Sequence, residues 1–130
     1  MTIKLTGLAL VVLMLSACTH GTMHAVKRDD IVNRYGSAIR WGLFDQAASF
    51  QNPSHRVPLD ESWLKNIHVA SYNPVYRGDE KDRFTLEQKV EIRYYNELVG
   101  VEKILIDHQL WRYYEDEDKW MLETDLPTIR

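Results

Sequence analysis

The chain has 130 residues, 45% of them hydrophobic and 27% charged, with a net charge of −3 at neutral pH. That length fits a single domain, and the mild acidity, with lysines and arginines scattered, argues against a nucleic-acid surface. One cysteine excludes an intramolecular disulfide, so the fold must rest on packing alone.

The N-terminal segment opens with the short, positively charged "MTIK" and continues with the apolar "LTGLALVVLMLSA". A helix that crosses a bilayer needs about twenty apolar residues, so this stretch is too short to span and fits the core of a secretory signal. The stretch ends in Leu15-Ser16-Ala17-Cys18, a leucine and two small residues before the cysteine. These four residues resemble the lipobox of bacterial lipoproteins. The resemblance implies cleavage before Cys18, a diacylglyceryl group on its sulfur and acylation of the new N-terminus. The mature chain then has 113 residues and a net charge of −4, because Lys4 is the only charged side chain removed. Two or three acyl chains, at about 0.8 kcal/mol per buried methylene, hold a protein on a membrane stably. Thr19 stands where Gram-negative lipoproteins retained in the inner membrane commonly carry aspartate. Its presence implies the periplasmic face of the outer membrane if the source is Gram-negative.

Residues 18–27 read as a lipidated tether before one α+β domain spanning 28–130. His20 and His24 lie four apart in the tether but lack acidic companions, and no metal site is expected there. The following stretch places Ile31, Tyr35, Ala38, Ile39, Leu43, Ala47 and Phe50 on one helical stripe. Asp29 or Asp30 is positioned to cap its start. Gly42 predicts a break, with a second helical segment from Phe44 to Phe50, ended by Asn52-Pro53. After a loop with two prolines, Asp60 should cap one or two turns through "ESWLKNI".

From Ile67 the period changes to two. A first strand, Ile67 to Tyr76, contains Pro74, which cannot donate to a ladder and predicts an edge strand or a bulge. "RGDEKD" reads as a polar turn. "RFTLEQKVEIRYYNE" alternates, with Phe84, Leu86, Val90, Ile92 and Tyr94 on one face and Thr85, Glu87, Lys89, Glu91 and Arg93 on the other. "LVG" suggests a three-residue turn with Gly100 in the left-handed position. Pairing Tyr94 with Ile104, Ile92 with Ile106 and Val90 with His108 makes the apolar faces coincide. Trp111 and Tyr113 then fall on the opposite face from Ile104 and Ile106. The expectation is therefore a bulge between His108 and Arg112, with Trp120 and Leu122 pairing with the two aromatics.

A helix broken near Gly42 and packed on a strongly curved antiparallel sheet of about four strands is a cone-like α+β architecture. The residues Tyr35, Ala38, Ile39, Arg40, Gly42, Phe44, Ala47 and Phe50, with the late "KWML" strand, resemble the nuclear transport factor two-like superfamily of cystatin-like folds. The likeness covers residues 28–126 in outline, although Leu43 stands where many members carry an acid. Members include enzymes, small-molecule binders and subunits of transport assemblies, so the resemblance leaves function open.

On this register His108 points into the concave face as the catalytic candidate, with Tyr94 or Tyr114 as a tyrosine partner and Asp107 facing away. Gln88 shares that face as a candidate ligand contact. A packed, hydrogen-bonded histidine and glutamine are the plainer readings of both. "EDED" lacks the spaced oxygen ligands and glycine of a calcium loop, and no nucleotide, phosphate-loop or serine-hydrolase motif occurs. The sequence therefore implies no cofactor. It implies a membrane contact through Cys18 and an envelope protein partner, with a cone-cavity binder or isomerase-like enzyme as the rival reading.

Overall fold

A computed structural model describes residues 23–78 and 82–130. The signal segment, Cys18, His20 and the middle of the "RGDEKD" turn lie outside the described residues. The chain divides into units Met1–Asp30 and Ile31–Arg130, and the packing below concerns the second.

Residues 23–40 form helix α1. It is already helical at residue 23, so Asp29 and Asp30 lie within it rather than capping its start, and residues 23–27 are helix rather than loose tether. From Val32 onward its buried positions are Val32, Tyr35, Gly36, Ala38 and Ile39, one face with steps of three and four. The helix ends at Gly42, whose φ of +71° suits a residue without a Cβ. There the Leu43 N–H bonds the Ala38 carbonyl at 2.8 Å and the Gly42 N–H bonds that of Ile39 at 3.1 Å, the paired closure of a Schellman stop. Leu43 is thereby thrown outward and half exposed, contrary to the expected stripe, and Phe44 takes the buried position instead.

Helix α2 spans Phe44–Ala48. A 3-10 turn, Pro53–His55, follows, and then helix α3, Glu61–Leu64. Asp60 caps α3 as expected, accepting from the Trp63 N–H at 3.3 Å. The bonds from the Ser62 hydroxyl and the Trp63 N–H hold its carboxyl below the ordinary range.

Four strands make one antiparallel sheet in the order β1-β2-β3-β4: Ile67–Arg77, Thr85–Asn96, Glu102–Tyr114 and Lys119–Leu122. Strand β1 lies at an edge and carries register shifts at Val69/Ser71 and Pro74/Tyr76, so the proline does mark a bulged edge strand. Residues 50–52 lie beside β4, with the Leu122 N–H bonded to the Phe50 carbonyl at 2.9 Å. The molecule is thus α+β, with α1 packed on one face of an open sheet. The core joins Tyr35, Ala38 and Ile39 to Leu86, Val90, Ile92, Trp111 and Leu122. Each such large side chain contributes roughly 1.5–3 kcal/mol through burial.

Strand β2 buries Leu86, Gln88, Val90, Ile92 and Tyr94, the face its alternation announced. Trp111 pairs with Leu122 and Tyr113 with Trp120, also as expected. The β2–β3 register differs by one residue from expectation: Arg93 pairs with Ile104, Glu91 with Ile106 and Lys89 with His108. Because side chains alternate, that single step turns residues 104–108 of β3 over. Leu105, Asp107, Gln109, Trp111 and Tyr113 face inward, while Ile104 and Ile106 lie outward and are 56% and 46% exposed. The register runs without a shift, so there is no bulge between His108 and Arg112. Gly100 does take the left-handed conformation, at φ +72°, but the connection is Glu97–Val101, longer than the three residues expected.

Candidate functional site

The inward face of the sheet holds a polar cluster built by its register. Gln88 of β2 sits opposite Gln109 of β3, and Asp107 follows two residues away on the same face. Tyr72 of β1, opposite Ile92, reaches the cluster from the other side.

Gln109 is its hub. Its carbonyl oxygen accepts from Gln88 Nε2 at 2.7 Å and from Trp111 Nε1 at 3.1 Å. Its amide nitrogen donates to Asp107 Oδ2 at 2.8 Å and to the Tyr72 hydroxyl at 2.9 Å. Two lone pairs and two N–H groups are all engaged, the full capacity of a glutamine side chain. Gln88 also accepts from Arg77 at 3.4 Å, which links the cluster to the surface.

Helix α1 closes the cluster with Tyr35, fully buried and packed edge-on against Trp111 at 5.2 Å. Its hydroxyl has no hydrogen-bond partner among the described residues. Burial, reinforced by the Asp107 carboxylate and by Tyr72, pushes the Tyr35 phenol well above its ordinary range. Burial also pushes Tyr72 up to about 12, against the opposing Gln109 bond. Asp107 is raised by burial as well, with the Gln109 bond and the charge of neighbouring His108 pulling the other way. These groups hold protons tightly, but the space among them is filled. Tyr35, Trp111, Leu86, Ile92 and Gln88 are all almost completely buried.

An open groove of about 270 Å³ runs between α1 and β1, lined by Gly36, Arg40, Trp41, Tyr72, Arg77 and Gln88 among others. Arg40 stacks on the Trp41 indole at 4.8 Å and donates to the Val69 carbonyl at 2.6 Å. Gln88 is thus both a packed core glutamine and the inner wall of a groove.

The three expected catalytic candidates are not brought together. His108 faces outward beside Lys89, correcting its expected place in the concave face, and Asp107 takes the inward position it was expected to leave. An open depression of about 230 Å³ lies beside His108 and is lined also by Gln88, Gln109, Tyr76, Glu87 and Lys89, so it brings His108 and Gln88, two of the expected candidates, to one site. Tyr94 points inward and donates to the Arg130 carbonyl at 3.1 Å. Tyr114, on the outward side and six residues along β3 from His108, is about 20 Å from it at the strand's rise.

Tyr114 belongs to a second cluster that sequence reasoning missed. Its hydroxyl donates to the Glu123 carboxylate and accepts from Asn52 Nδ2 at 2.8 Å. Glu123 also faces His55 Nε2 at 3.1 Å. The bond to Glu123, then burial, raises the Tyr114 phenol. Tyr114 and Glu123 meet across the β3–β4 hairpin, and the pairing of residues 50–52 with β4 brings the remote Asn52 to them.

Among the described residues no cluster of histidine, cysteine and carboxylates could hold a metal ion, and no helix is long and apolar enough to cross a membrane. No protein-family model matches this chain, and neither a curated protein nor a solved structure is significantly similar to it.

Proposed function

We propose that this chain is a lipid-anchored envelope protein whose α+β domain acts as a binding module rather than an enzyme. The lipobox-like Leu15-Ser16-Ala17-Cys18 supports the anchor, and Thr19 favours the periplasmic face of the outer membrane in a Gram-negative source. The observation that carries the binding role is the inverted strand β3. Its inward face is packed and hydrogen-bonded, whereas Ile104 and Ile106 face solvent on the outward side. Exposed isoleucines on a sheet face, rimmed by Glu91, Arg93 and Glu102, are the composition of a protein-docking surface. Cys18→Ala should abolish metabolic labelling with palmitate and release the protein from membranes. Unchanged labelling would overturn the anchor.

The groove beside Gln88 favours a second reading, a small-ligand binder without His108. At about 270 Å³ it is close to the lower end of the roughly 300–1,000 Å³ of ordinary ligand sites.

A further inference from the structure

The two long edges of the sheet are treated differently. Strand β1 is guarded: Pro74 lacks an N–H, two register shifts interrupt the ladder, and Arg40 covers the Val69 carbonyl. These are the devices by which sheets refuse another strand. On the other side, β4 pairs only with residues 111–114 of β3, and the Glu123 N–H takes the Leu110 carbonyl. Residues 102–109 of β3 face no further strand among the described residues, and they contain neither proline nor bulge.

The unpaired edge reads Glu102-Lys103-Ile104-Leu105-Ile106-Asp107-His108, with Asp107 buried on the inward side. Reversed upon itself about Leu105, it places Glu102 opposite His108, Lys103 opposite Asp107 and Ile104 opposite Ile106. Every polar position then meets the complementary charge or an imidazole, and every apolar position meets an apolar one. Recentring by one residue, on Ile106, destroys the match, because Ile104 then meets His108 and Glu102 meets Leu110. The alternation also sorts the contacts by face. The isoleucines and the Glu102–His108 contacts fall on the outward side, and Lys103 falls on the inward side next to Asp107. The Asp107 carboxylate receives one hydrogen bond among the described residues, from Gln109. Lys103 donates to the Arg130 carbonyl from an exposed position, a bond it can exchange.

We propose that the partner for this edge is a second copy of the chain, joined by antiparallel pairing of residues 102–108 about a two-fold axis at Leu105. The pairing joins two four-stranded sheets into one and turns the exposed Ile104 and Ile106 into a four-isoleucine patch across the seam. It rests on the reading of this side of β3 as a docking surface and names what docks.

The test uses the full-length lipidated protein in detergent, with the molar mass measured by light scattering across a dilution series. The wild type should be a dimer. Glu102→Lys sets lysine against histidine, and His108→Glu sets two carboxylates together. Each should weaken the dimer by about tenfold, since two such contacts occur per dimer. The double variant restores opposite charges and should recover wild-type affinity. Both positions are exposed, so these changes leave the fold intact. A benzophenone amino acid at position 106 in intact envelopes should give an adduct of twice the chain's mass. A monomeric wild type, or a double variant no better than the singles, overturns the pairing. A monomer whose adduct contains a different protein overturns self-association but leaves the docking surface standing, and a monomer with no adduct removes both.

Discussion

Strands β2 and β3 run side by side in unbroken register, yet they bury opposite chemistries. Inside β2 are Leu86, Val90, Ile92 and Tyr94, with only Gln88 polar in their midst. Inside β3, Asp107 and Gln109 sit between Leu105 and the buried Trp111 and Tyr113, while its neighbouring isoleucines are half exposed. The difference shows that a strand's buried face is chosen by the partners waiting for it and not by its own hydropathy alone. A buried amide or carboxyl without a hydrogen bond costs several kcal/mol. Gln109, with all four of its bonds made, escapes that cost and carries Asp107 with it. The inward face also gains Trp111 and Tyr113, whose large rings outweigh two isoleucines left outside.

The largest test of that contrast is Gln109→Leu, which makes β3 chemically similar to β2. By hydropathy alone it should stabilise the fold. The network instead predicts a loss of at least about 4 kcal/mol, because Gln88, Trp111, Asp107 and Tyr72 each lose a partner at roughly 1–3 kcal/mol apiece. Chemical denaturation measures it, and a neutral or stabilising result would break the comparison. The same read-out on Ile92→Val of β2 should give only about 0.5–1.5 kcal/mol.

A smaller effect is expected from Gly36→Ala. A Cβ there would stand 2.7 Å from the Tyr72 ring, against which α1 lies in close approach. Alanine gains about 1 kcal/mol in helix propensity, but overpacking costs about 1–3 kcal/mol, and Tyr72 is held by its bond from Gln109. A net loss of up to about 2 kcal/mol by thermal unfolding would tie the helix to the network. A gain would mean that the tyrosine swings away freely.

The smallest effect sharpens the role of Asp107. Burial raises its carboxyl in the folded chain. Its contribution is therefore fully present below the ordinary carboxylate value of about 4 and is lost as pH rises through the folded value. Asp107→Asn keeps an acceptor for Gln109 and removes the charge. In protein diluted until it is monomeric, where no Lys103 of a second copy faces the carboxylate, it should flatten the wild-type fall in stability as pH rises above about 4. An unchanged pH profile would mean that the carboxylate is already compensated.

Much of the architecture was legible because it is set locally. Gly42 and Gly100 supply positive φ where the chain reverses, Asp60 caps α3, Pro74 marks a bulged edge, and the alternation of β2 defines its inner face. Gln88 was legible as an inward polar residue. Its partners were not, since Arg77 and Gln109 lie 11 and 21 positions away. Asn52 gave no local signal of its place beside Tyr114 and Glu123 for the same reason.

By itself, then, the sequence determined the α+β class, the places where the chain turns and the face of β2, through backbone sterics and short-range periodicity. Only the tertiary structure decided the face of β3, and with it the fates of Asp107, His108 and the two isoleucines. Sliding one strand by one residue is a small change in pairing but a complete inversion of side chains. The balance was settled by four hydrogen bonds on one glutamine and by the burial of Trp111, contacts that exist only once three strands and a helix have met.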